Sequence, residues 1–170
     1  MRYKTLGTTG EKLSALTLGT WGIGGTGWGE TSQSNSLAAI DRMLELGVNL
    51  VDTAPVYGFG NPGEQDFGFG CAERLLAKAL KGRRDKVFLV TKCGLNYDRS
   101  KGPSSAYRSM SAQEIREGCE NSLRRLGTDY LDLLLVHWPD GKTPLEEVAQ
   151  AMEDLIRRGL IKYYGVSNFS

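Results

Sequence analysis

The sequence predicts an α/β protein built on a parallel sheet, and three observations lead there. Strand-like and helix-like segments alternate along the chain. The middle strands are short apolar runs without polar alternation, as in sheets covered on both faces. The connections that follow strands are long, at 20–35, 53–71 and 93–110, whereas the turns after helices are tight.

The elements follow in order. Residues Tyr3–Leu6, a turn over Gly7–Lys12 and the segment from Leu13 read as a hairpin, whose second half runs into a strand at Leu16–Thr20. A helix over Ser36–Leu46 places Leu37, Ile40 and Leu44 on one face, with Gly47 at C′. Asn49–Asp52 is the next strand, and a helix over Ala72–Leu80 stops before Gly82. "KVFLVTK", 86–92, is the third strand. The following helix opens with the capping box Ser111-Ala-Gln-Glu114, buries Ile115, Cys119, Leu123 and Leu126, and ends at Gly127. "YLDLLLVH", 130–137, is the fourth strand. Thr143 as N-cap, Pro144 at N1 and Glu146 then start a helix that buries Val148, Met152, Leu155 and Ile156 and ends at Gly159. The last strand is 161–168. No linker or repeat interrupts the pattern, so 1–170 reads as a single domain.

Composition narrows the function classes. A net charge of +1 gives no electrostatic footprint for nucleic acid. No apolar run reaches the ~18 residues of a membrane span, and the start "MRYKTLGTTGEK" lacks a signal-peptide apolar region. Cys71, Cys93 and Cys119 are scattered without CxxC spacing, which suits reduced thiols and a cytoplasmic location. His137 is the sole histidine, so a multi-histidine metal site is impossible within one chain and no metal is expected.

The strand ends carry the chemistry. One strand ends in Asp52, the next in Lys92, the next in His137, the last in Ser167-Asn168, and Tyr57 follows Asp52 by one short loop. Singly, each has a plain structural reading: a turn cap, a solvated strand end, a core histidine, a loop aromatic. Together they place four titratable side chains at one rim of the sheet, an acid–base constellation. A free tyrosine titrates near ~10, too high for efficient proton transfer near neutrality. A Lys92 ammonium beside it is expected to lower that value, and Asp52 to hold the ammonium charged. His137 is suited to donate to a substrate oxygen, so the set can deliver a proton to a carbonyl oxygen as hydride reaches the carbon. Trp21 and Trp138 lie just past strand ends, Trp28 sits in the loop "GIGGTGWGE", and the three suit an aromatic-lined pocket. "GIGGTG", Gly22–Gly27, matches a dinucleotide fingerprint in letters, but "WGETSQSNS" after it is a poor helix start. A loop beside the pocket is the better reading.

Taken in order, "LGTWGIGG", "NLVDTAPVYGFG", "LVTKCG", "SLRRLGTDYLDLLLVHWPD" and "TPLEEVAQAMEDLIRRGLIKYYGVSNFS" resemble the aldo-keto reductase family, from residue 1 to 170. The resemblance implies a (β/α)8 barrel of the TIM type, closed at its bottom by the N-terminal hairpin. It implies reduction of aldehydes and ketones, or the reverse oxidation of alcohols, with NADPH and less often NADH. Asp52, Tyr57, Lys92 and His137 fall on the family's catalytic tetrad, with Tyr57 as proton donor. Ser167 and Asn168 fall on residues that bind the nicotinamide carboxamide, and Thr20 and Trp21 on the loop beside that ring. Two departures stand out. The loop "FGNPGEQDFGFGCAE" is longer than the family's usual version, although a capping acid, Glu73, is recognisable after it. A closed barrel takes ~250 residues, and five strands are present here. The 170 residues alone are therefore expected to leave two strand edges open and not to form a stable, active monomer. Self-association through those edges is the expected escape. A regulatory or binding role, as in the potassium-channel β subunits related to this family, is the alternative to catalysis.

Overall fold

A computed structural model describes residues 1–25, 29, 32–61 and 63–170. Trp28 lies outside the described residues. Strands β1 (Tyr3–Thr5) and β2 (Lys12–Ser14) form the antiparallel hairpin, with Tyr3 opposite Ser14. The main sheet holds β3 (Thr17–Gly19), β4 (Leu50–Asp52), β5 (Phe88–Cys93), β8 (Leu131–Val136) and β9 (Ile161–Val166), all parallel and in that spatial order. Between them run α1 (Gln33–Glu45), α2 (Cys71–Ala79), α3 (Ala112–Leu126) and α4 (Leu145–Arg157). The predicted parallel α/β order is thus what forms.

The sheet has two apolar faces, which explains the unalternating runs. Val51, Leu89, Leu134 and Val136 pack with Ile40, Leu76, Ile115, Cys119, Met152 and Leu155 of the helices. Leu50, Phe88, Val90, Leu133, Leu135 and Tyr163 gather on the other face around Leu13 of the hairpin. Alternate strand residues point to opposite faces, so both sets are apolar only if both faces are covered. The register sets Gly19 beside Asp52, Asp52 beside Val90 and Lys92 beside Leu135, which brings the polar strand ends to one rim.

Local differences from the sequence expectations have local causes. Helix α1 starts one turn earlier than predicted, because Ser32 accepts from the Asn35 N–H and caps it. Ser111 caps α3 as predicted, but the Glu114 carboxylate turns away to Asn96 and Tyr107, so the capping box is half-formed. Thr143 is not the N-cap of α4. Pro144 occupies that position in an extended conformation, and the Thr143 hydroxyl donates instead to Asp140, 2.6 Å away. Asp140 also accepts from the backbone of Met110, Lys142 and Thr143, so it organises this turn more strongly than a capping threonine would. Finally, the connection at 93–110 contains an unforeseen two-stranded ribbon, β6 (Leu95–Asn96) with β7 (Tyr107–Arg108).

Candidate active site

Asp52 ends β4, Lys92 is the penultimate residue of β5, His137 follows β8, and Tyr57 drops from the loop after β4 to meet them. Lys92 is 5% exposed, and all three of its N–H donors are engaged. They reach Asp52 Oδ2 at 2.7 Å, the Thr53 carbonyl at 2.9 Å and the Tyr57 phenol oxygen at 3.0 Å. A buried ammonium is tolerated only with such saturation. Burial pulls the Lys92 pKa down, and the Asp52 carboxylate, with Glu73 further off, opposes that pull.

Tyr57 does not behave as the sequence suggested. Burial, then the Asp52 charge and its hydrogen bond, push the phenol pKa up rather than down. The expectation treated Lys92 as the dominant neighbour, but Asp52 is as close to the site and burial acts against phenolate. The tyrosine is therefore a protonated phenol, loaded to give a proton. Its O–H donates to Asp52 Oδ1 over 3.3 Å, at the weak end of hydrogen bonding, so little is lost in turning it to another acceptor. The same oxygen accepts from Lys92.

His137 is buried beside them, its ring centroid 6.1 Å from that of Tyr57 and nearly perpendicular. Burial, then the charges of Lys92 and Arg108, lower its pKa to about 4, so the imidazole is neutral at pH 7. Its Nδ1 is buried with no hydrogen-bond partner among the described residues. A buried ring nitrogen left without a partner costs stability.

The remaining predicted residues divide by position. Trp21 stacks over Tyr57 at 6.2 Å, and Trp138 over His137 at 6.2 Å. Asn168, at a positive φ of 60°, donates to the His137 carbonyl at 2.8 Å and to the Ser167 hydroxyl oxygen at 3.0 Å. Thr20 is fully buried, its hydroxyl against the Asp52 carbonyl and Thr53, so it ties β3 to β4 beneath the site. The glycines of "GIGG" have a steric purpose. A Cβ on Gly24 would lie 2.5 Å from the Gly58 nitrogen and 2.7 Å from the Tyr57 carbonyl carbon. The loop after β3 thus lies directly on the backbone that carries Tyr57. Gly58 has a φ of 93° and faces the Cys71 sulfur, whose thiol donates to the Tyr57 carbonyl at 3.1 Å.

Two contributors escaped the sequence reading. Glu73 was read only as a capping acid after the long loop, but it is fully buried. It accepts from Thr91 at 2.8 Å and from Arg125 Nε at 2.5 Å, tying α2 and α3 to β5 immediately before Lys92. Its spacing with Leu76 and Leu80 on one helical face was the available signal. Arg108, from β7, lies 4.6 Å over the Trp138 ring, and nothing in its irregular loop announced that.

A family model described as the aldo/keto reductase family matches residues 15–170, and the chain belongs to that family. It is 43% identical to aldo-keto reductase YhdN of Bacillus subtilis (strain 168), over all of this chain and 48% of that protein. It is 36% identical to the NADH-specific methylglyoxal reductase of Escherichia coli (strain K12), over 99% of this chain and 52% of that one. Among solved structures, the holo form of aldo-keto reductase AKR11C1 from Bacillus halodurans superposes with a TM-score of 0.84 at 34% identity, over 99% of this chain and 51% of that chain. The five-stranded sheet is thus part of a TIM-type barrel, and the chain spans about half the length of the curated relatives it matches.

Proposed function

We propose that the protein carrying this chain is an NADPH-dependent oxidoreductase that interconverts aldehydes or ketones with alcohols, and that Asp52, Tyr57, Lys92 and His137 are its catalytic residues. The observation that carries this reading is the Lys92 ammonium, shared between Asp52 and the phenol oxygen of a protonated Tyr57. That pair can release a proton and stabilise what remains. A neutral His137 donates to the carbonyl oxygen and holds it near Tyr57. As the oxygen gains charge, Tyr57 turns its O–H from Asp52 to that oxygen, and Lys92 supports the phenolate. Trp21 and Trp138 wall the substrate against water.

The nicotinamide fits the residues at the end of β9. Asn168 spends its N–H groups on His137 and Ser167, which leaves its Oδ1 as an acceptor beside the Ser167 hydroxyl donor. A carboxamide needs one of each. Trp21 and Thr20 would flank it, and Asp52 would lie beneath. When bound, the cofactor supplies hydride to the carbonyl carbon. NADPH is the proposed form; one relative carries the name NADH-specific.

The test is turnover of a panel of small aldehydes and ketones, followed by nicotinamide absorbance with NADPH and NADH in parallel. Cofactor-dependent reduction is expected. No turnover with either cofactor across the panel would reject the catalytic reading and favour a binding role.

A further inference from the structure

The acidic side chains around the β6–β7 ribbon are already occupied. Glu114 accepts from Asn96 and Tyr107, Asp98 from Ser100 with Lys101 beside it, and Asp66 pairs with Arg99. Asp140 is filled by three backbone N–H groups and Thr143. Arg108 is the exception. It pairs with no carboxylate among the described residues, and its contact is with the face of Trp138, 4.6 Å from the ring centroid. Trp138 in turn stacks on His137.

From this geometry we propose that Arg108 forms an anion subsite at the rim of the active site, selecting carbonyl substrates that carry a carboxylate at the end away from the reacting carbon. The proposal rests on the carbonyl-reductase reading above. Stacking on an indole removes much of a guanidinium's freedom and leaves its in-plane N–H edge open, the edge that binds carboxylate with two parallel hydrogen bonds. The order Arg108–Trp138–His137 gives the spacing. A carbonyl held at His137 would place a flat spacer along Trp138 and its distal acid at Arg108. Among the described residues, the carboxylate bonded to the reacting set, Asp52, is neutralised by Lys92, and Asp140 is filled by its own turn. The Arg108 charge is also near enough to help keep His137 neutral, as a donor to a carbonyl requires.

The test uses 4-formylbenzoate and its methyl ester, two aldehydes of similar shape and different charge. Each is titrated into the protein that carries this chain while the Trp138 indole N–H resonance is followed, and its reduction is measured in parallel. The acid should bind about tenfold tighter than the ester, the size of a charge-assisted hydrogen bond at a partly exposed site. The gap should narrow as salt is raised. It should vanish in Arg108→Gln and survive in part in Arg108→Lys, which keeps the charge and the stacking cation but not the fork. Equal binding of the two aldehydes, binding of neither, or a gap that persists in Arg108→Gln would overturn the subsite. A charge-dependent binding gap without reduction of either aldehyde would instead overturn the reductase reading and leave the subsite standing.

Discussion

Replacing Glu73 with glutamine tests how Lys92 is held. The carboxylate is fully buried, bonded to Thr91 at 2.8 Å and to Arg125 at 2.5 Å. Glutamine keeps an oxygen for Thr91, so the main loss is the charge facing Arg125. That guanidinium is 16% exposed and, among the described residues, would retain Ser122, at 3.2 Å, and the Phe69 ring, at 5.6 Å. Breaking a buried pair from one side costs about 3–5 kcal/mol. The surviving contacts place Glu73→Gln near the lower end, about 3 kcal/mol. Urea unfolding of the protein that carries this chain would read the loss as a lower midpoint at constant slope. The double variant Glu73→Gln with Arg125→Met removes the orphaned cation and should lose less than the two single losses summed, the mark of coupled partners. A Glu73→Gln loss under about 1 kcal/mol, or strict additivity in the double variant, would refute the idea that this pair braces β5 behind Lys92.

Three further outcomes are expected. Lys92→Met should lower carbonyl reduction by about 10²–10⁴-fold in steady-state assays, because the Tyr57 phenolate loses the ammonium that stabilises it; unchanged rates would remove Lys92 from the mechanism. His137 has a folded pKa of about 4 against an ordinary 6.5, so the unfolded chain takes up its proton first as pH falls. Its contribution therefore destabilises the fold from about 6.5 down to 4, with burial and then the Lys92 and Arg108 charges opposing protonation, and unfolding midpoints of His137→Gln should fall less steeply over that window. Gly24→Ala forces backbone against the Gly58–Tyr57 peptide, and displacing a reacting group by about 1 Å costs on the order of 10²-fold in turnover, measurable as a drop in kcat with the nicotinamide affinity retained.

The fold was legible because its signals are local and repeated. Apolar strand runs, glycines at Gly47, Gly127 and Gly159, and Ser111 as a helix cap each depend on a few adjacent residues, and each forms as read. The convergence of Asp52, Tyr57, Lys92 and His137 was legible for a related reason: in a parallel sheet, residues that end successive strands must share a rim. What escaped depends on partners distant in sequence. The Thr143 cap was lost to Asp140, whose distant partner is Met110, 30 residues away. Glu73 pairs with Arg125, 52 residues on. The direction of the Tyr57 pKa depends on how burial and two opposite charges balance within a few ångströms, and letters do not set that balance.

The central claim is that Tyr57 gives the proton. Tyr57→Phe keeps the ring that stacks with Trp21 and removes only the phenol oxygen. Carbonyl reduction should fall by about 10²–10⁴-fold, while a fluorescence titration shows nicotinamide binding largely retained. Carbonyl reduction at near-normal rates in Tyr57→Phe would contradict the account at its root.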